Sequence, residues 1–160
     1  MAAEVIYGLN AYFTFRIEGE LFAVNIGNMT KILELTELTE VPNTSKAFKG
    51  IINVFGDVIP VFDGRLRFGL PEKESPPKSC ILILVFELDG QTVSSGIVVD
   101  SVEKVIVINP DQIQVPATLG KRFNTGLTDG VATINEEPVV ILNMEKIFST
   151  EDVKLITTVE

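Results

Sequence analysis

From residue 11 to residue 143 the chain is a succession of short runs rich in Val, Ile, Phe and Thr, each closed by Gly, Asp, Asn or Pro. That punctuation restricts the fold to short strands and tight turns. β-Branched and aromatic side chains suit a pleated surface, while the residues between them suit turns. Strands are expected over 11–17, 21–26, 30–35, 50–55 and 58–62, and again over 79–88, 91–98, 101–108, 127–134 and 138–143. Glu18-Gly19 and Asp89-Gly90 read as hairpin turns, because glycine accepts the positive φ such turns require. Helix is scarce. Asn43 or Thr44 can cap one or two turns ending at Gly50, and Met144, Ile147 and Phe148 give the tail 144–156 a helical spacing, with Ser149 or Thr150 able to cap a second short piece.

The chain also echoes itself. FRIEG at 15–19 resembles FELDG at 86–90, and GIINVFGDVIPV at 50–61 is loosely matched by GLTDGVATINEEPVVIL at 126–142. The polar, proline-bearing segment LPEKESPPKS at 70–79 lies between the halves and reads as a linker. Two similar all-β barrels of about five strands each are therefore expected. The first would span 18–70 and the second 80–143, with the strand at 11–17 joining the second. A single irregular β-sandwich is the alternative.

A formal charge of −9, with Lys and Arg only single or paired as in Arg65/Arg67 and Lys121/Arg122, would repel a phosphate backbone, so no nucleic-acid partner is expected. The start lacks the basic and long apolar segments of a signal peptide, and the longest apolar run, 80–86, is too short to cross a bilayer. A soluble, cytoplasmic protein without membrane insertion is expected. Cys80, the single cysteine, sits in ILILVF surroundings and reads as an inert buried thiol. The chain has no histidine, which removes the commonest general base and metal ligand.

Asp57 and Asp63 are the natural candidates for acid chemistry. An extended strand holds residues six apart roughly 20 Å from each other at ~3.3 Å per residue, whereas paired catalytic carboxylates need about 5 to 9.5 Å. Both are expected to turn the chain instead: Gly56-Asp57 closes a hairpin and Asp63-Gly64 ends a strand, with Pro60 marking a sheet edge or bulge. Glu34, Glu37 and Glu40 read as a solvated edge, and there is no glycine-rich phosphate cradle, CxxC pair or nucleophile elbow. No catalytic, cofactor-binding or metal-binding residue is expected. The rival readings are an enzyme using Asp57, Asp63 or Asp100 around a divalent metal, a nucleic-acid-binding barrel, and a module with a single partner. Phe55 is out of place. Alternation puts it with Asn53 on the polar face, beside a turn, where an aromatic either anchors a partner or tucks under a neighbouring loop.

Three segments together, VPNTSKAFKGIINVFGDVIPVFDGRLRF at 41–68, SGIVVDSVEKV at 95–105 and ILNMEKIF at 141–148, resemble the CheW family of bacterial chemotaxis coupling proteins. Matching order and spacing cover roughly 11–150. The resemblance implies two intertwined five-stranded SH3-like barrels with a hydrophobic seam. It further implies a non-catalytic scaffold joining the regulatory domain of a chemotaxis histidine kinase to the cytoplasmic tip of a receptor's helical hairpin, recruited to membrane-bound receptor arrays through those partners. The receptor-facing groove it implies comprises Met29, Lys31, Asn53, Phe55, Gly56, Asp57, Val102 and Val105. Two departures mark a divergent paralogue. The family usually reads Val-x-Glu-Ile where this chain has MTKI at 29–32, and Asn-Leu-Arg-Gly where it has NVFG at 53–56. A carboxylate and a guanidinium are thus exchanged for Lys31 and Phe55, a coupled change that can keep an interface consistent.

Overall fold

The computed structural model of the chain describes residues 10–36, 38, 39, 47–68, 70, 71, 73–88, 90–114, 128–144, 146 and 147. Ten strands overlap the ten expected runs: β1 Ala11–Ile17, β2 Glu20–Asn25, β3 Met29–Glu34, β4 Phe48–Val54, β5 Asp57–Asp63, β6 Cys80–Leu88, β7 Gln91–Val99, β8 Ser101–Val107, β9 Thr128–Ile134 and β10 Glu137–Leu142. One helical turn, α1 (Gly64–Arg67), follows β5 because the Asp63 carboxylate accepts from the N–H groups of Arg65 and Leu66 and so caps it. Of the helical turns expected over 43–50, residues 48–50 already belong to β4, and 43–46, like most of 144–156, lie outside the described residues.

The strands form two five-stranded sheets, ordered β8-β1-β2-β10-β9 and β3-β6-β7-β5-β4. The sheets do not divide at 70–79 as the sequence suggested. Each half is one repeat, β1 to β5 or β6 to β10, but each lends its first two strands to the other half's barrel: β1 pairs with β8, β2 runs parallel to β10, β6 pairs with β3, and β7 runs parallel to β5. Hairpins are local and leave turn residues in the sequence. Pairing between distant strands leaves no such mark, so the crossing of β2, β6 and β7 was invisible to pattern alone.

The two sheets share one closing device. After β3, Thr39 exchanges both backbone hydrogen bonds with Ile51 of β4, at 2.8 and 3.1 Å; after β8, Gln114 does the same with Val131 of β9, at 2.6 and 2.9 Å. These bridges join the two outer strands of each sheet and make it a barrel. The chain approaches so closely there that a Cβ on Gly50 would stand 2.5 Å from the Thr39 carbonyl oxygen, and one on Gly130 2.3 Å from that of Gln114, both at positive φ. Only glycine fits these two positions.

Alternation along the strands sorts apolar side chains into three clusters. Leu21, Ala23, Val139 and Ile141 fill one barrel, and Ile59, Val61, Ile81, Ile83 and Val98 fill the other. Their sequence neighbours point the opposite way: Phe22 and Val24 of β2, Val140 and Leu142 of β10, Leu82, Leu84 and Phe86 of β6 meet with Phe13, Phe15, Phe62 and Phe68 in a seam between the barrels. Strands buried on both faces explain why several runs read as continuously apolar. Phe22 links Phe15 and Phe68, with ring centroids 5.8 and 5.2 Å away, and each such ring adds about 1.5–3 kcal/mol by leaving water. The chain is therefore two intertwined SH3-like barrels held by a hydrophobic seam.

Pro60 stands one position from the bulge that falls between Phe48 and Gly50, but not on an edge strand. It lies in β5, an interior strand, opposite Ile51. Ile51 spends its N–H and C=O on Thr39, and pairing of β5 with β7 starts only at Val61, so the donor that proline lacks has no acceptor waiting.

Arg65 locks the barrels polar-side. Its guanidinium is buried and donates to Asp100 Oδ2 at 2.5 Å, while also pairing with Glu18 in the β1–β2 turn of the other barrel. Asp100 in turn accepts from the Glu18 N–H at 2.9 Å.

Candidate functional site

The β4–β5 hairpin turns on Phe55 and Gly56, with φ of 51° and 91°. Two successive positive φ values match the right-handed twist of the flanking strands, and the usual residues there are Asn and Gly. Phe55 is an aromatic in a conformation that costs an L-residue about 1–2 kcal/mol, and it is 91% exposed, so burial does not offset the cost. Asn53 supports the turn by accepting the Gly56 N–H at 2.9 Å. The Lys31 ammonium, on β3, lies 4.1 Å from the Phe55 ring centroid. At such an exposed site a cation over a ring contributes about 0.5–1 kcal/mol.

β3 and β4 are the outer strands of their sheet, and among the described residues the bridge between these edges is that of Thr39, beyond the end of β3, with Ile51. Toward the hairpin tip they part, leaving a groove of about 470 Å³ between Ile32, Leu33, Glu34 and Thr36 on one side and Ile52, Asn53, Val54 and Phe55 on the other. Ile32 and Val58, large apolar side chains near its rim, are themselves more than a third exposed.

The other repeat places a contrasting surface at its own β9–β10 tip. Asn135 and Glu136 make that turn, and the depression beside it holds about 180 Å³. Arg16 lines it, donating to Glu137 at 2.6 and 2.9 Å and to Glu103 at 2.6 Å. The Arg16 hydrogen bonds hold the Glu137 carboxyl below its ordinary range, and Glu137 first, then Glu103, raise the guanidinium further. One mouth is small and lined by ion-paired groups, and the other is larger and more apolar.

Of the residues implicated by the resemblance, Lys31, Asn53, Phe55, Gly56 and Asp57 come together at the open tip. Met29 opens β3 and rests half-buried on the seam, as Val102 does from β8. Val102 and Val105 pair with Phe15 and Phe13 of β1 in the other sheet, with Val105 46% exposed. Ile32 and Val58 were not singled out from the sequence, although alternation in MTKILE and DVIPVF offered a signal. Nothing in GRLRF announced that Arg65 would be buried.

Of the three carboxylates an enzyme would need, two are engaged elsewhere. Asp63 caps α1, Asp100 holds Arg65, and Asp57 stands exposed at the tip. No group of three or more Cys, Asp or Glu suited to a metal ion occurs among the described residues. Cys80 is half-buried rather than enclosed, its thiol donating to the Lys78 carbonyl at 3.4 Å, with burial and then Glu34 pushing its pKa up. No helix among the described residues is long and apolar enough to cross a membrane.

This arrangement has known counterparts. The family described as CheW-like domain matches residues 11–152. Chemotaxis protein CheW of Helicobacter pylori is 31% identical over 141 residues, covering 88% of this chain and 82% of that one. Chemotaxis protein CheW of Klebsiella aerogenes is 26% identical over 148 residues, 92% and 87% of the two chains. The solved scaffolding protein TtCheW from Thermoanaerobacter tengcongensis superposes with a TM-score of 0.78 at 27% identity, over 89% of this chain and 94% of that one. Two interlocked barrels, their shared seam and these matches over nearly the whole described fold place the chain in the CheW-like domain family.

Proposed function

We infer that this protein is a chemotaxis coupling scaffold: it joins chemoreceptors to a histidine kinase by binding both, and changes no covalent bond itself. The observation that carries the reading is a fold superposing on a scaffolding protein across most of both chains, combined with an open apolar tip on one barrel. On the kinase side it binds the kinase's CheW-like regulatory domain, and on the receptor side the cytoplasmic tip of a helical hairpin. The receptor-facing surface is built on Lys31, Asn53, Phe55, Gly56 and Asp57, continued by Met29, Val102 and Val105. The protein works in the cytoplasm and reaches membrane-bound arrays through these partners. Each contact should bury about 800 Å² per partner or less, as transient signalling contacts do.

Co-sedimentation tests the coupling role. The purified chain is mixed with receptor-bearing membranes and with the kinase, separately and together, and should pellet with the membranes and carry the kinase down with it. Binding to only one of the two partners would contradict a coupling role.

A further inference from the structure

Phe55 is the one large apolar side chain at the open tip that is almost wholly in water, and it keeps a backbone conformation that an aromatic resists. The repeat-equivalent turn shows that the fold does not require this. Asn135 takes the corresponding first position at the same φ, 51°, and asparagine is a favoured residue there. Strain without burial in the free chain is explained when a second molecule covers the ring. Lys31 adds an independent constraint. Its ammonium sits 4.1 Å over that ring, so whatever covers Phe55 also crowds a cation. Desolvating a cation against an apolar surface is costly unless a carboxylate meets it, and a second cation there is repelled.

We propose that Lys31 and Phe55 form one specificity element, recognising a receptor hairpin tip that presents an apolar cleft for the ring with a carboxylate at its rim for the ammonium. The proposal rests on the coupling role inferred above and names the chemistry of its receptor side. Phe55 is the anchor. Lys31 holds the ring over the β3–β4 groove and supplies the charge that selects among tips. Ile32 and Val58 extend the apolar contact around the ring. A receptor matched to the family's usual Glu and Arg pair presents charges in the opposite sense, and this chain discriminates against it. The opposite mouth takes no part, because Arg16, Glu103 and Glu137 are already engaged with one another there.

The test uses the full chain and its F55N, F55R, K31E and K31E/F55R variants. Binding is titrated against the cytoplasmic hairpin fragments of the chemoreceptors encoded in the same genome, against the kinase regulatory domain, and against the hairpin fragment of a receptor served by a coupling protein with the Glu/Arg pair. F55N keeps a residue suited to the turn, so its melting point should hold or rise while receptor affinity falls about tenfold or more, as loss of an interface anchor does. F55R and K31E should each weaken binding to the native receptor. K31E/F55R should bind the Glu/Arg-type receptor fragment better than the wild type does. Unchanged preference of the double variant, with wild-type binding intact, would overturn the specificity element and leave the coupling role standing. Loss confined to the kinase domain would overturn the receptor as occupant. Absence of wild-type binding to every receptor fragment and to the kinase domain would overturn the coupling role and the element together.

Discussion

Arg65→Met is the most informative perturbation of the fold, because Met keeps most of the buried stem and deletes only the charged fork. The Arg65 side chain is 5% exposed, its partners Asp100 and Glu18 17% and 36%. Removing one member of a buried ion pair costs about 3–5 kcal/mol by leaving the other uncompensated. Here two carboxylates are left facing each other, yet both reach some water, which brings the expectation to about 2–4 kcal/mol. For a chain of this size that lowers the melting point by roughly 5–15 °C. Differential scanning calorimetry measures it directly. Asp100→Asn retains an acceptor for the Glu18 N–H while removing a charge, so Arg65→Met combined with Asp100→Asn should cost at least about 1 kcal/mol less than the two changes summed. A melting point for Arg65→Met within about 2 °C of wild type, or strict additivity in the cycle, would show that the network does not hold the barrels together.

Alanine at Gly50 or Gly130 must displace a backbone carbonyl from 2.5 or 2.3 Å, so each change should cost about 2–3 kcal/mol and speed amide exchange at Ile51 or Val131 respectively, read by hydrogen-exchange NMR. Gly19, also at positive φ but facing open space, should cost less when changed to alanine, which thermal melts compare. The lowered pKa of Glu137 means that its pairing with Arg16 supports the fold above the unfolded carboxyl value, about 4.3, and fades as pH falls through the folded one. Glu137→Gln should therefore flatten the loss of melting temperature between about pH 5 and pH 3 relative to wild type, as followed by circular dichroism. With its pKa raised, Cys80 should react with iodoacetamide more slowly at pH 8 than a free cysteine does, a difference that mass spectrometry reads and that unfolding should abolish.

The strands were legible because every one carries its own local evidence. FRIEG and FELDG end in hairpin residues, and GIINVFGDVIPV shows both its strands and the turn between them. The repeat was legible for the same reason, and its counterparts share even the bulge that sets Gly50 opposite Val61 and Gly130 opposite Ile141. What the pattern hid is that β2 follows β1 into the second half's sheet and that β6 and β7 cross into the first. A strand buried on both faces reads the same whichever neighbour it takes, and the 70–79 segment looks like a boundary although it connects α1 to β6 within one barrel. At the site, alternation was enough to place Phe55 on the polar face. Lys31 could not be placed over it by any local rule, since the two residues meet only when β3 and β4 become the two lips of one barrel. Arg65 was hidden for a related reason: its partners, Glu18 and Asp100, sit in turns contributed by other strands.

The strand exchange bears on the site as well as on the fold. Each repeat supplies the closing strands of one mouth, β3 to β5 or β8 to β10, and receives from the other repeat the two strands those mouths are built against. A change in one mouth therefore leaves the other repeat's turn and groove residues untouched, while the seam, shared by both, resists separation of the barrels. This division lets one tip hold Arg16 between Glu103 and Glu137 while the other exposes Phe55 beneath Lys31. A coupling protein needs two unlike faces in fixed relation. Duplication alone would give two similar faces; duplication with exchanged strands lets their chemistry diverge without loosening the frame that sets their relation.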